Sequence, residues 1–408
     1  MPKRILIIST LDTKGVETLY LKEKIESLGF SAMLMDLSMR TSAEHTAEIT
    51  NAQVAEAGGS SIEDIGQSRE RSRITKIMTS GASKLATRYH AQGTIDGVIA
   101  MGGSTGTLMA SEVMRSLPFG VPKVVISSTA ALPGLSTRYI GTGDIVLFHS
   151  VIEISGLSNL LKNVMDRAAH AITGMVHETV TPLVAGEGKA IALTMLGPCE
   201  SCASAVRQAL EQSGYQVIGF SAAGIGDRAM EQMIAEGFFQ GVIDLAPGGV
   251  GEHLFGFMRD AGPFRLENAG RMGIPMLVST CSVNHMTPSK SKYKAEYHQR
   301  RKYDLDKFRT WIRLSPEELQ QVARVFAEKL NKAAGPVRVL VPQKGWSSVD
   351  RPGNPTHDPL EDHLFVEELQ KSLRPDIEIV KVDANMEDEA FAQAVVEIAR
   401  RLFGRHAS

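Results

Sequence analysis

The stretch from Asp96 to Leu117 constrains the fold of this chain more than any other. A short apolar run ends at Ala100-Met101, and Gly102-Gly103-Ser104-Thr105-Gly106-Thr107 follows. Leu108, Met109, Val113, Met114 and Leu117 then recur at helical spacing. This is the pattern of a buried strand, a glycine turn and an amphipathic helix. Glycines let a backbone approach a ligand closely, and the first helical N–H groups form an anion site reinforced by the helix dipole. Ser104, Thr105 and Thr107 add hydroxyl donors. A phosphate or carboxylate is the expected guest; the plainer alternative is a serine-capped turn.

The same alternation runs the length of the chain. Strands are expected at 4–9, 30–37, 97–100, 123–127 and 144–148, with helices between them and a closing helix at 157–173. Residues 41–67 are polar and alanine-rich around Gly58-Gly59-Ser60-Ser61. Proline and glycines at 181–188 mark a boundary, after which strands are expected at 190–195, 216–220, 242–245, 275–279, 337–341 and 377–382. Strand–helix alternation implies parallel sheets covered on both faces. The expected fold class is therefore α/β, with two doubly wound, mainly parallel domains at 1–184 and 189–408. The 408 residues suffice for two cores. A formal charge of −2 gives no argument for nucleic acid or membrane surfaces. Three cysteines suit a reducing compartment, and no apolar run approaches the ~20 residues of a membrane span, so a cytoplasmic location is expected.

Ligands bind such sheets outside the carboxyl ends of the strands. Thr10-Leu11-Asp12-Thr13-Lys14-Gly15 follows the first strand as a polar loop and can face the crevice of the Gly102–Thr107 turn. Lys14 can neutralise phosphate, and Asp12 can hold Mg²⁺ through water, because that ion prefers oxygen ligands and retains waters. The alternative is a capping Asp12 beside a solvated Lys14. Neither loop has the spacing of a P-loop or of a dinucleotide fingerprint.

In the second half, Gly224-Ile225-Gly226-Asp227-Arg228 and Gly248-Gly249-Val250-Gly251 are further glycine loops at strand ends. With Arg228 at a helix start they can hold an anionic substrate, or be turns and nothing more. Cys199 and Cys202 form C-x-x-C at a helix start, and Cys281 and His285 lie four apart with His298 beyond. Four-ligand zinc spacing is absent, so no structural zinc is expected. Arg228, Cys281, His285 and Lys344, the last in Lys344-Gly345-Trp346-Ser347-Ser348-Val349-Asp350, are the catalytic candidates. Lys290 to Arg313 is basic and aromatic. It is expected to form a partly helical lid rather than a nucleic-acid surface.

Several stretches together resemble the Tm-1-like ATP-binding domain family, formerly grouped as UPF0261. They are Thr10–Gly15, Gly102–Thr107, Pro118–Val125, Tyr139–Asp144 and Val151–Gly156. Gly226–Glu231, Ala261–Leu266, Lys329–Pro336, Lys344–Pro359 and Asp358-Pro359-Leu360-Glu361-Asp362 continue the likeness. It implies two α/β domains, ATP on the first, and homodimers. On that basis Thr10, Asp12, Thr13, Lys14, Gly15 and Gly102, Gly103, Ser104, Thr105, Gly106, Thr107 are the expected ATP and Mg²⁺ contacts. The second half departs from the family. Phe220-Ser221-Ala222-Ala223-Gly224-Ile225-Gly226-Asp227 replaces F-H-A-T-G-T-G-G, Ala246-Pro247-Gly248-Gly249 replaces a threonine run, and Cys281–Met286 replaces V-N-F-G. Tyr303–Ser315 is rewritten too. Ser221, Gly224, Gly226, Arg228, Gly248, Gly249 and His285 are therefore the expected contacts of a small anionic metabolite. Two functions follow as expectations: an enzyme of small organic-acid metabolism, hydrolytic or ATP-dependent, or a nucleotide-gated protein-binding module without catalysis.

Overall fold

The computed structural model describes residues 2–40, 45–177, 189–307 and 309–404. The chain divides into two compact units, Met1–Leu183 and Val184–Ser408. The proline- and glycine-containing stretch 181–188 lies outside the described residues.

In the first unit, β1 (Arg4–Ser9), β2 (Ser31–Asp36), β3 (Gly97–Gly102), β4 (Lys123–Ser127) and β5 (Val146–His149) form one parallel sheet ordered β2-β1-β3-β4-β5. β1 is an interior strand, and its apolar run is explained by burial on both faces. Leu6 and Ile8 join the core beneath the helices Arg71–Ala91 and Ser104–Arg115. Ile5 and Ile7 join the opposite core beneath Leu11–Ser27 and Asn159–His177. Strand side chains alternate between faces, so one strand supplies both layers.

The second unit repeats the plan with six parallel strands. β6 (Lys189–Met195), β7 (Tyr215–Ser221), β8 (Gly241–Asp244) and β9 (Met276–Val278) come first in the chain. A small antiparallel sheet follows, β10 (His285–Met286), β11 (Lys302–Asp304) and β12 (Thr310–Arg313), ordered β10-β12-β11. β13 (Val337–Pro342) and β14 (Glu378–Val382) complete a main sheet ordered β14-β13-β9-β8-β6-β7. Ala192, Val242, Val278 and Val339 face one core, whereas Ile191, Ile243, Leu277 and Leu340 face the other. Both units are thus doubly wound, as the alternation implies.

Three segments differ from the sequence expectation. Thr10–Gly15 is no free loop, because the helix begins at Leu11 and only Lys14 (φ −132°, ψ 20°) breaks its dihedrals. Residues 41–67 contain two short helices, Asn51–Ala57 and Ile62–Gln67, capped by Thr50 and Ser61. The described residues of the basic segment 290–313 form two short 3₁₀ helices, as a partly helical segment would, but also the strands β11 and β12, which the sequence expectation does not include. Thr310-Trp311-Ile312-Arg313 is buried throughout, as suits a β-branched and aromatic run. Much of its charge is committed locally: Arg300 to Glu318, Arg301 to Asp358 and Glu361, and Arg309 to Asp306.

Candidate functional site

In the first unit the strand order reverses between β1 and β3, so the loops after these two strands flank one crevice. Their anchoring starts from polar residues at the strand ends. Ser9 lies opposite Asp36, and Gly102 lies opposite Ser127. Asp36 Oδ1 accepts from Leu11 N at 3.0 Å, and Ser38 Oγ accepts from Asp12 N at 3.0 Å. The Thr18 hydroxyl bonds both Ser9 Oγ at 2.8 Å and Lys14 O at 2.7 Å, tying the kink to the end of β1. The His45 ring packs against Gly15, where an added Cβ would meet it at 1.8 Å and the ring would have to move. Asp12 and Thr13 stay exposed. Lys14 and Asp12 have no side-chain partner among the described residues.

Gly103 is the N-cap of the helix Ser104–Arg115 and has no side chain to close its first turn. The leading N–H groups of a helix have no partner within it. Thr107 Oγ1 donates to Ser127 Oγ at 2.8 Å, which continues through Thr129 (3.2 Å) to Tyr139 Oη (2.7 Å). Ser128 Oγ, buried beside the Gly103 turn, has no partner among the described residues. This edge can accept an anion: it combines open N–H groups, several hydroxyls and a lysine with no partner among the described residues.

In the second unit the order reverses between β6 and β8. There the helix Glu200–Glu211 already has an anion at its start. Glu387 Oε2 accepts from Ser201 N and Oε1 from Cys202 N, each at 3.2 Å. Burial and its neighbour Cys281 push the Cys199 thiol well up, the contact with Cys281 being the larger cause, and burial raises Cys202. Both are therefore neutral thiols, not the stabilised thiolates a helix start can give.

The glycines of this edge bring chain segments together. A Cβ at Gly248 would lie 2.2 Å from Ser282 O, one at Gly249 2.5 Å from Ala261 Cβ, and one at Gly226 2.2 Å from Ser221 O. Gly224 adopts φ +88° against Asp260 O. Gly224 and Gly249 thus meet one segment, 259–261. Arg228 pairs with Asp260 at 3.1 Å, and Asp260 also binds His253 Nδ1 at 2.8 Å. Ser221 is exposed at the end of edge strand β7. His285 is enclosed and stacked on Trp311 with centroids 4.4 Å apart. No hydrogen bond or ring contact joins these two among the described residues. Burial, then the charges of Arg259 and Arg313, hold His285 well below the usual histidine range, so the ring is neutral. Lys344 pairs with Asp383 at 3.0 Å.

Two buried networks have no local sequence signature. Arg265 is enclosed by Asp227 (3.0 Å), Asp244 (2.6 Å) and Glu231 (3.6 Å), which ties the Gly226–Glu231 and Ala261–Leu266 stretches together. Burial pushes Glu231 up to about 7. Around Asn284, the Nδ2 group donates to Asp350 Oδ2 at 3.0 Å and Asp362 Oδ1 at 3.1 Å, while Arg313 holds Asp362 at 2.6 Å. Asp350 Oδ1 also binds His357 Nδ1 at 2.8 Å. The sequence singled out Lys344–Asp350 and the acidic run Asp358–Asp362, but not their meeting with Asn284 and Arg313. Among the described residues, no three His, Cys, Asp or Glu side chains are grouped to hold a metal ion. No helix there is long and apolar enough to cross a membrane.

Fold and edges together define a protein of two doubly wound α/β units, each with its own strand-order reversal. The chain belongs to the family described as Uncharacterised protein family (UPF0261): its N-terminal domain matches residues 3–181 and its C-terminal domain residues 188–403. A UPF0261 protein of Clostridium tetani is 34% identical over 400 residues, covering 97% of this chain and 98% of the relative. The tomato ToMV resistance protein Tm-1(GCR237) is 35% identical over 308 residues, 74% of this chain and 41% of that protein. The tomato ToMV susceptible protein tm-1(GCR26) is 30% identical over 416 residues, 97% of this chain and 55% of that protein. The chain thus spans about half the length of the tomato relatives or less. A solved UDP-N-acetylglucosamine 2-epimerase aligns over 100% of this chain and 98% of its own at 11% identity, but a TM-score of 0.24 carries no argument.

Proposed function

We propose that this chain is a cytoplasmic, homodimeric nucleotide-binding protein. Its first unit holds ATP with Mg²⁺, and its second unit takes a small anionic organic acid. The observation that carries the reading is the crevice between β1 and β3. There an uncapped helix start at Gly103 and Lys14, without a side-chain partner among the described residues, share an edge with the buried Ser128 hydroxyl, likewise unpartnered among them. These groups fit a polyphosphate, with Ser104 to Gly106 donating to its oxygens, the buried Thr107 bracing the turn through Ser127, and Lys14 balancing the charge. Asp12 would hold Mg²⁺ through water, the ion's remaining ligands coming from phosphate oxygens. Thermal unfolding with and without Mg-ATP tests the reading: an unchanged midpoint in saturating nucleotide overturns it.

Turnover of candidate organic acids, with and without ATP, tests the enzymatic half, in which ATP is consumed or the acid hydrolysed. The second reading is a nucleotide-gated module that binds another protein. It is favoured by one observation, that a tomato relative carries the name of a ToMV resistance protein. ATP-dependent capture of a defined protein without turnover of any acid would select it.

A further inference from the structure

We propose that the second unit binds a small carboxylic acid with an apolar body in a pocket at the carboxyl end of β13. The pocket lies between the loop bearing Trp346 and the first turns of the helix Pro359–Ser372. This deepens the reading of the second unit and rests on it only for the class of ligand. The cavity measures about 330 Å³, at the lower end of the ~300–1,000 Å³ typical of small-molecule sites. Trp346, Val366 and Leu360 supply apolar wall, and Asp362, His363 and Lys381 supply the polar groups.

Asp362 makes this more than a surface hollow. The residue is 3% exposed, and its Oδ1 accepts from both Asn284 and Arg313. Its Oδ2 is buried and has no partner among the described residues. A buried carboxyl oxygen left so is costly unless it carries a proton and finds an acceptor. Burial, and after it the neighbouring Asp350 carboxylate, pushes Asp362 up to about 8. At neutral pH the free oxygen is therefore an O–H donor waiting for an acceptor, and a ligand carboxylate is one. Lys381, on β14, has no acidic partner among the described residues and complements the charge. His363 pairs at 3.3 Å with Glu367 across an exposed helix turn.

The charged and titrating groups facing Asp362 come from four elements. Asp350, with His357 behind it, lies on the loop after β13, and Arg313 lies on β12. Glu361, which shares Arg313, and His363 come from its own helix, and Lys381 from β14. Asn284 bridges the two aspartates and carries no charge. Once Asp362 ionises, its oxygen repels a carboxylate where it had donated to one. Affinity for an acid then falls as pH rises through about 8.

The probe is 3-phenylpropionate, titrated calorimetrically into the full chain at pH 7.0 and pH 9.5. Wild-type affinity should fall about tenfold or more between these values, each pH unit above the pKa removing a factor of ten of the protonated form. Asp362→Asn keeps a donor at every pH and should bind equally at both. Lys381→Glu changes an exposed side chain, and should weaken binding several-fold at pH 7.0. The proposal is overturned if wild-type protein does not bind the probe, if Asp362→Asn loses affinity with pH as wild type does, or if Lys381→Glu binds unchanged. Should Asp362→Asn not fold, the wild-type pH profile and Lys381→Glu still decide. Loss of probe binding with the Mg-ATP shift intact removes this pocket alone, and the converse removes the nucleotide reading alone.

Discussion

Asp350 and Asp362 share one side-chain amide, Asn284 Nδ2 donating to the first at 3.0 Å and to the second at 3.1 Å. Two carboxyls held this close in a buried site resist ionising together. Burial and the Asp350 charge raise Asp362 to about 8, against an unfolded value near 3.9. The native state therefore keeps a proton that the unfolded chain has lost. Its contribution to stability is complete below about pH 3.9 and is lost as pH rises through about 8. Denaturant unfolding should show this loss in wild type, at no more than about 1.4 kcal/mol per pH unit from this group. Asp362→Asn should lack that component. Parallel wild-type and variant curves between pH 5 and 9 would show that Asp362 is ionised throughout.

Arg265 is the cation that pairs with all three carboxyls of the Asp227, Asp244 and Glu231 cluster. Replacing it by methionine keeps the apolar stem and removes the charge, leaving the carboxyls to desolvate unpaired. Breaking a buried pair from one side costs about 3–5 kcal/mol. Arg265→Met should lower the unfolding free energy by that order, measured in urea at pH 8, where Glu231 is ionised. A change under about 1 kcal/mol would mean that water reaches the cluster.

Gly248 serves backbone packing rather than an open cleft. A Cβ there would lie 2.2 Å from the carbonyl oxygen of Ser282, whose own φ is +63°. Backbone cannot yield as a flexible side-chain tip can, so Gly248→Ala should destabilise by about 1–3 kcal/mol. Gly251→Ala meets only the Val322 methyls, at 3.3 Å and beyond, and should cost less. Equal thermal midpoints for the two variants would contradict this ranking.

These residues show why the two edges differed in legibility. Parallel strands buried on both faces leave unbroken apolar runs, such as Arg4–Ser9, and the glycine turns behind them are local. The first-unit loops could therefore be placed at one crevice from sequence. The Asn284 network joins partners 66 and 78 residues away, and Glu387 reaches a helix start 186 residues before it. Nothing in the local pattern announces such meetings. β10 has two residues and β11 three, too short for a period-two signal to emerge. The second-unit glycines were visible, but sequence cannot say whether a glycine admits a ligand or another stretch of the same chain.

Gly103 separates those two uses directly. Its φ of −79° and ψ of −162° lie in the extended region open to any residue. The nearest atom to an added Cβ is Ser128 Oγ at 3.9 Å. Gly102, by contrast, would meet the Gly106 backbone at 3.1 Å. Gly103→Val should therefore leave the unliganded fold intact while placing methyl groups at the start of the helix, where a phosphate would seat. Wild-type protein should be stabilised by about 2.7 kcal/mol when Mg-ATP is a hundredfold above Kd, by the linkage RT ln(1 + [L]/Kd). Gly103→Val should keep the unliganded midpoint and lose that shift. Lys14→Ala, which removes charge without touching the turn, should reduce the shift but not abolish it. If Gly103→Val responds to Mg-ATP as wild type does, the nucleotide lies elsewhere, and the open N–H groups of this helix serve solvent alone.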